Sequence, residues 1–488
     1  MAKTDSPSRS YPFSTIRQIL KFTGLCLAVL LAAGCIRYHP KPISLPRSLS
    51  DFEARSPMAP ELKDFLQGKL GIEKWPPEEW DLRALTLVAI YYHSDLDTAR
   101  AQWAVARAGR ITAGESPNPV LSVIAGYNST TPVSEVSPWI PEAALEIPIE
   151  TAGKRGYRIA EARHLSEAAR LNIISTAWAV RSRLRRAFLE IFAAQETASL
   201  LSSQRNIRTD IRRILEAQLS AGEVSAYDVT QARIALENSR LAEFAAGAQS
   251  DQARVQLAAA LGLPLRALDE IAFSFAGLRL VPADIPAREI RRQALLNRSD
   301  ILGALCEYAA SQSALQLEIA KQYPDINLGP NFQLDQTDNK WSLGLSFLLP
   351  LISRNRGPIA GAEARRAESA ARFQALQAKV IGEIDMAVAA CRAAADRART
   401  VDEMRIDLRK QETAALAKYR LGDISRLELL GVQEELAANA LVRLDAIVKA
   451  HQVEGELEDA MQSPLDLKEW VRQSPARSSG SKKESNDE

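Results

Sequence analysis

One segment of this chain is written twice, and each copy opens onto a very long run without proline. Pro119-Val-Leu-Ser-Val-Ile-Ala-Gly-Tyr127 is echoed by Pro324-Asp-Ile-Asn-Leu-Gly-Pro-Asn-Phe332. Further along, Ile147-Pro148 and Glu161-Ala162-Arg163 recur as Leu349-Pro350 and Glu363-Ala364-Arg365. Ala221-Gly222-Glu223-Val224-Ser225 then recurs as Leu421-Gly422-Asp423-Ile424-Ser425. No proline falls between Pro148 and Pro264, or between Pro358 and Pro464. Proline removes a helical donor and clashes with the preceding turn, so runs free of it can stay helical throughout. Length alone suggests about three domains. A duplicated unit of about two hundred residues instead predicts one fold built from two halves.

Each half carries two candidate strands: residues 120–128 and 139–147, then 325–334 and 341–349. They alternate with period two. Ile326, Leu328, Pro330, Phe332 and Leu334 oppose Asp325, Asn327, Gly329, Asn331 and Gln333. Trp341, Leu343, Leu345, Phe347 and Leu349 oppose Ser342, Gly344, Ser346 and one apolar exception, Leu348. In the first half Trp139, Pro141, Ala143, Leu145 and Ile147 oppose Ile140, Glu142, Ala144 and Glu146. Each run approaches the roughly 9–11 residues of a tilted transmembrane strand. Trp139 and Trp341, near strand ends, suit an aromatic girdle. Polar loops are expected at 129–138 and 335–340. The same alternation would serve a soluble sheet, but the flanking helices are too long for a compact α/β domain.

One helix begins near Asp81 and runs to about Thr112, before Pro117 and Pro119. Others are expected over 156–221, 225–261, 358–421 and 425–461. Ile173, Ala177, Val180, Leu184, Ala187, Ile191, Ala194, Ala198 and Leu201 form a heptad seam. Ile381, Ile384, Val388, Cys391, Ala395 and Ala398 repeat it less perfectly. At about 1.5 Å per residue each long helix reaches on the order of 95 Å. Gly222 and Gly422 end these helices as C-terminal glycines do. Ser225 with Asp228, and Ser425 with Glu428, restart the chain, the second pair as a capping box. Gly262-Leu-Pro264 and Ser463-Pro464 end the return helices. Each half is thus an antiparallel hairpin with a tight tip. Four strands cannot close a barrel, and open edges in lipid leave backbone groups unpaired. The protomer must assemble with others; three copies would make a pseudo-six-fold tube, though the residues do not fix that number.

The chain has 61 basic and 60 acidic residues, giving no electrostatic argument for a nucleic-acid partner. Lys3, Arg9, Arg17 and Lys21 precede an apolar stretch at 22–33, too short to span a bilayer comfortably. It ends in Leu31-Ala-Ala-Gly34-Cys35, which resembles a bacterial lipobox with Ala32 in the usual leucine slot. The resemblance implies a signal peptide over 1–34 and diacylation of Cys35, and Ile36 after it favours the outer membrane. A cleaved signal with an incidental cysteine is the alternative. Lipidation anchors a chain without a spanning helix. Residues 35–80, rich in proline, are expected as an extended segment, 265–298 as a connector belting the tube, and 464–488 as a tail disordered from about 471.

Cys306 and Cys391 lie roughly 20 Å apart along the helices at about 1.5 Å per residue. A disulfide needs Cα atoms within about 7 Å, so both are expected free and buried. His39, His93, His164 and His451 have no ligand spacing, and no G-x-S-x-G, CxxC or phosphate loop occurs. Ser94-Asp95 and Ser299-Asp300 read as helix caps. No enzyme, cofactor or resident metal is expected.

Over residues 80–463 these strands, seams and tips resemble the TolC family of outer-membrane efflux proteins. Gly153-Lys154-Arg155-Gly156, following Glu146-Ile-Pro-Ile-Glu150, and Asn355-Arg356-Gly357-Pro358-Ile359-Ala360 most resemble the branch serving heavy-metal resistance–nodulation–division pumps. The resemblance implies a mainly α fold with membrane β: long helical hairpins forming an α-barrel tunnel, and four strands per protomer in a trimeric twelve-stranded barrel. It implies a homotrimer in outer-membrane lipid, partnered by a periplasmic adaptor and an inner-membrane pump. Its function would be a passive exit duct for small toxic solutes or heavy-metal cations. By the same resemblance Ala221, Gly222 and Ser225, with Tyr419, Arg420, Leu421, Gly422 and Ser425, are adaptor contacts. Glu428, with Asp228 as its counterpart, is a candidate periplasmic gate; the family's second acidic position falls on the uncharged Gly431. An inward carboxylate ring favours cations. An exit duct for type I protein secretion, and a periplasmic coiled-coil adaptor or structural lipoprotein, stay open as other readings.

Overall fold

A computed structural model describes residues 38–70, 75–130, 138–279, 287–335 and 338–464. The expected signal peptide, Cys35 and the tail from 465 lie outside the described residues, as do 131–137 and 336–337 of the two strand loops and 280–286 of the connector.

Residues 38–54 belong to a unit of their own, whose helix α1 (Leu45–Glu53) carries Pro46 in its first turn and buries nothing. The second unit begins at Arg55. It opens with α2 (Pro60–Leu70), α3 (Leu82–Tyr92) and α4 (Ser94–Gly114). The first half continues with β1 (Val120–Tyr127), β2 (Trp139–Ile149), α5 (Lys154–Ser220) and α6 (Ala226–Leu261). After α7 (Ala287–Asn297), the series α8 (Ser299–Ala320), β3 (Ile326–Asp335), β4 (Asp338–Phe347), α9 (Arg356–Leu421) and α10 (Arg426–Met461) repeats α4 to α6. The 67 residues of α5 span about 100 Å at 1.5 Å each.

Three expectations change here. The described part of 35–80 is not an extended segment: α1 and α2 lie within it, and Leu62, Leu66 and Trp80 are fully buried beside Leu85, Val88, Leu184 and Ile191. Pro46 and Pro60 sit in first helical turns, where a missing N–H costs nothing. The helix expected from Asp81 to Thr112 is two helices. Asp81 caps α3, its Oδ1 accepting from the Ala84 N–H at 2.8 Å, and the chain breaks at His93, which is extended at φ −74°. His93 then caps α4, its Nδ1 accepting from the Asp95 N–H at 3.2 Å. Ser94 and Ser299 are therefore the first residues of their helices, not caps. Ser299 instead donates to Gln462 Oε1 (2.9 Å from N, 2.7 Å from Oγ) and meets Ser175 Oγ at 2.8 Å, tying the start of α8 to the end of α10.

The four strands make one antiparallel sheet in the order β1-β2-β3-β4. Register carries one apolar face across all of them: Val123 opposes Ala143, Ala143 opposes Phe332, and Phe332 opposes Trp341. The other face holds Ser122, Glu142, Glu146, Asn327, Asn331, Gln333, Ser342 and Ser346. The second loop is shorter than expected, because Asp335 pairs with Asp338, Leu334 with Asn339 and Gln333 with Lys340. The Lys340–Asp335 ion pair holds that hairpin. Hence Leu348 and Leu349 fall outside β4, and Trp341 lies inside it. Two aromatic pairs mark the loop end: Tyr127 with Trp139 at 5.1 Å and Phe332 with Trp341 at 4.7 Å. Among the described residues neither β1 nor β4 has a neighbour on its outer edge.

In α5 the seam residues Val180, Leu184, Ala187, Ile191, Ala194 and Leu201 are buried. In α9 the seam is Val380, Ile384, Ala387, Ala394, Ala398 and Val401, with Cys391 half-buried between them. Ile381, Val388 and Ala395 are half-buried at its side, Val388 packing on the same core, while the fully buried Val380, Ala387 and Ala394 stand four residues before Ile384, Cys391 and Ala398 rather than three. The small alanines let α9 approach Ala450, Val453 and Leu457 of α10 closely. Both described cysteines are free; burial pushes the Cys391 thiol up to about 11, and its Sγ lies 3.4 Å from the Val453 carbonyl.

Candidate functional site

Both tips are built the same way. At the end of α5, Gly222 takes φ +78°, the Gly222 N–H donates to Leu219 O (3.0 Å) and the Glu223 N–H to Gln218 O (2.9 Å). At the end of α9, Gly422 takes φ +82°, with bonds from Gly422 N to Tyr419 O (3.1 Å) and Asp423 N to Lys418 O (3.0 Å). This paired pattern is the Schellman stop, and only glycine adopts its left-handed residue freely.

The chain restarts at once through two capping boxes. Ser225 Oγ accepts from the Asp228 N–H at 3.3 Å while Asp228 Oδ2 accepts from the Ser225 N–H at 3.1 Å. Ser425 Oγ accepts from the Glu428 N–H at 3.2 Å while Glu428 Oε2 accepts from the Ser425 N–H at 2.7 Å. Only the second tip carries the Ser-x-x-Glu signature of a full box, yet aspartate reaches back in the same way at the first. The Ser225 hydrogen bonds hold the Asp228 carboxyl below the ordinary aspartate range. Ser425→Ala removes one cap bond and is expected to cost ~1 kcal/mol at the start of α10. Faster amide exchange confined to residues 425–430, with 225–230 unchanged, is the expected readout.

Ala221, Gly222, Ser225 and Asp228, and Tyr419, Arg420, Leu421, Gly422, Ser425 and Glu428, are all exposed. The second tip carries more chemistry. Arg426 lies over the Tyr419 ring at 5.9 Å and reaches within 3.8 Å of Asp210 on α5. Deeper in, Arg208 of α5 pairs with Glu434 of α10 at 2.7 Å and donates to Ala235 O and Ser239 Oγ of α6 at 3.0 and 2.8 Å. Three helices of two hairpins meet on that one guanidinium.

At the other end, the polar sheet face carries Glu142 and Glu146 on β2. Asn331 Nδ2 donates to Glu142 Oε1 at 2.9 Å, fixing that carboxylate on the same face as the asparagine. Among the described residues the one basic side chain on that face, Lys340, stands at the loop end and is already paired with Asp335. Alternation on β2 placed both glutamates correctly, but nothing local marked them as a charged lining. Among the described residues no group of three or more His, Cys, Asp or Glu could hold a metal ion, and no helix is long and apolar enough to cross a membrane.

Sequence comparison matches the outer membrane efflux protein family over residues 89–263 and 290–462, one stretch in each half. The chain belongs to that family. Outer membrane efflux proteins are channels of tripartite pumps, not enzymes. The chain is similar to the cobalt-zinc-cadmium resistance protein CzcC of Cupriavidus metallidurans, with 24% identity over 374 residues, 76% of this chain and 87% of that protein. It is also similar to the pyoverdine export outer membrane protein OpmQ of Pseudomonas aeruginosa, with 24% identity over 302 residues, 57% and 62% of the two chains. Among solved structures, CusC shares the fold at a TM-score of 0.64 and 18% identity, over 80% of this chain and 95% of that one. The fold class is thus the expected one, a helical tunnel with a β-barrel contribution.

Proposed function

We propose that three copies of this chain close into one duct, the passive outer-membrane exit of a pump that expels small toxic solutes, heavy-metal cations foremost. The observation that carries this is the sheet: four strands with a continuous apolar face and two open edges, β1 and β4. In lipid such edges must pair, and β4 of one copy against β1 of the next closes a barrel without a free strand. The helices support the same assembly. Tyr227, Ile234, Leu241 and Val255 recur at heptad spacing on α6, between 50% and 69% exposed, with Phe244 beside them at 75%. That stripe has no partner within the described chain and suits the next copy's helix.

Cargo of cationic character rests on the likeness to CzcC and on the acidic barrel lining of Glu142 and Glu146. Glu428 and Asp228 bring further carboxylates to the tunnel entrance, where a ring of charge favours cations. The exposed tips around Gly222 and Gly422 are the contacts for a periplasmic adaptor linked to an inner-membrane pump of the resistance–nodulation–division type. Cys35 anchors the mature chain through its acyl groups.

Deleting residues 341–349 tests the reading. Outer-membrane fractions of the intact chain should give a heat-modifiable trimer, conductance in planar bilayers and an acylated N-terminal peptide by mass. The deletion should abolish trimer and conductance together. Conductance that survives would mean the sheet is not the pore wall.

A further inference from the structure

The apolar face of the sheet continues past the ends of its strands into a cleft of about 670 Å³. Thr151 and Ala152, leaving β2, form one wall, and Tyr323 and Pro324, entering β3, form another; Ile326, Leu345 and Phe347 complete it. Ile326 pairs in register with Phe347, and Leu328 with Leu345, so the strand residues all issue from the apolar face. That is the face an outer-membrane channel turns to lipid.

Hydrogen bonds brace two of its walls against each other. Thr151 N donates to Asp325 Oδ1 at 2.9 Å and Thr151 Oγ1 to Pro324 O at 2.6 Å. Buried Lys154 Nζ donates to Tyr323 O at 2.6 Å and Asp325 Oδ1 at 2.8 Å. These bonds satisfy the polar groups of the rim among themselves and clamp the exit of the first strand pair to the entry of the second. What remains is an open apolar concavity, which on the barrel proposed above faces hydrocarbon. Left unfilled, it forfeits dispersion contacts on one side; water gains no partners there.

We propose that this cleft is a lipid site, which seats one acyl chain of a membrane phospholipid at the joint between barrel and tunnel. Continuity with the lipid-facing surface names the occupant. No charged side chain lines the walls, and the cleft lies at the strand ends away from the hairpin loops, where α5 and α9 begin. The chain so held touches both halves of the duplication, between Thr151 of the first and Tyr323 to Phe347 of the second.

The test uses the full chain reconstituted as its assembled form in phosphatidylethanolamine–phosphatidylglycerol vesicles containing phosphatidylethanolamine with a diazirine in one acyl chain. After illumination, peptide mass spectrometry should find adducts at Tyr323, Leu345 and Phe347 at least several-fold above those at Leu328 and Leu343 on the same face. Leu345→Trp, which fills the cleft, should remove the excess and leave Leu343 labelled. Should that variant fail to assemble, Phe347→Leu serves with the same readout and a partial loss. Even labelling along the face would reduce the cleft to ordinary boundary lipid and overturn the proposal. An excess that appears only in Cys35→Ala would overturn it too, since the chain's own anchor would then be the occupant.

Discussion

Replacing Arg185 by alanine is expected to destabilise the folded protein by about 3–5 kcal/mol, the usual cost of stripping one partner from a buried ion pair. Arg185 lies on α5 and binds the end of α10: Nη1 meets Glu458 Oε2 at 2.7 Å and Nη2 meets Asp459 Oδ2 at 2.8 Å. Nη2 also donates to the Gly455 carbonyl. Arg181 Nη1 meets the same Glu458 Oε2 at 2.6 Å, and Ser182 Oγ donates to Asp459 Oδ2 at 2.5 Å. Without Arg185, Glu458 keeps Arg181, but Asp459 keeps only a hydroxyl, and its Oδ1 is already buried without a partner.

The loss should depend on pH in a definite direction. Burial raises the Asp459 carboxyl above its ordinary value, while Arg185 is the strongest influence pulling it back. A carboxyl raised on folding favours the folded state below its unfolded value, and that contribution disappears as pH rises through the folded value. Removing Arg185 raises Asp459 further. The gap between wild type and variant should therefore widen as pH rises above the ordinary aspartate range. Urea midpoints at one protomer concentration measure it, since oligomer stability varies with concentration. Gly455 supplies an internal control. A Cβ at position 455 would stand 2.2 Å from Arg185 Nε, so Gly455→Ala must expel the guanidinium and should destabilise the wild type. In the Arg185→Ala background the clash is gone, and alanine should instead stabilise the helix by up to ~1 kcal/mol. Additive effects would refute the shared node.

Converting Glu142 and Glu146 together to glutamine should cut the cation-over-anion permeability ratio about threefold or more, by removing the unpaired charge from the polar sheet face. Salt-gradient reversal potentials in planar bilayers would report it. Glu428→Gln should shift the ratio less, because it removes half as many carboxylates from three copies, leaves Asp228 in place, and Glu428 already accepts a backbone N–H. The opposite ranking would place the selecting charge at the hairpin tip. No shift from either change would remove charge selection from the proposed function altogether.

Much of this architecture was legible because its signals are periodic. Alternation along β3 and β4 assigned the face of each residue from Ile326 to Leu334 and from Trp341 to Phe347, and Gly222 and Gly422 marked both tips. Signals failed where a residue's role depends on a distant partner. Nothing near His93 says that an imidazole will cap α4, and proline-rich composition hid α1 and α2. In α9 hydrophobicity favoured Ile381 and Val388 over Ala387 and Ala394, because a sequence does not show how closely α10 will approach. The acyl cleft was beyond reach for the same reason: Thr151 and Asp325 are neighbours only once β2 and β3 pair.

The alanine seam of α9 has a mechanical consequence. The first hairpin is keyed by Leu184, Phe188 and Ile191 and braced by Leu62 and Leu66 of α2, whereas the second sets the small Ala387, Ala394 and Ala398 among Val380, Ile384 and Val401. Less apolar area removed from water, at roughly 25 cal/mol per Å², makes the second pair of helices the softer of the two springs. Under a load shared by the tube, strain collects in the softer element. The duplication has thus given one molecule a stiff stave and a compliant one, set side by side.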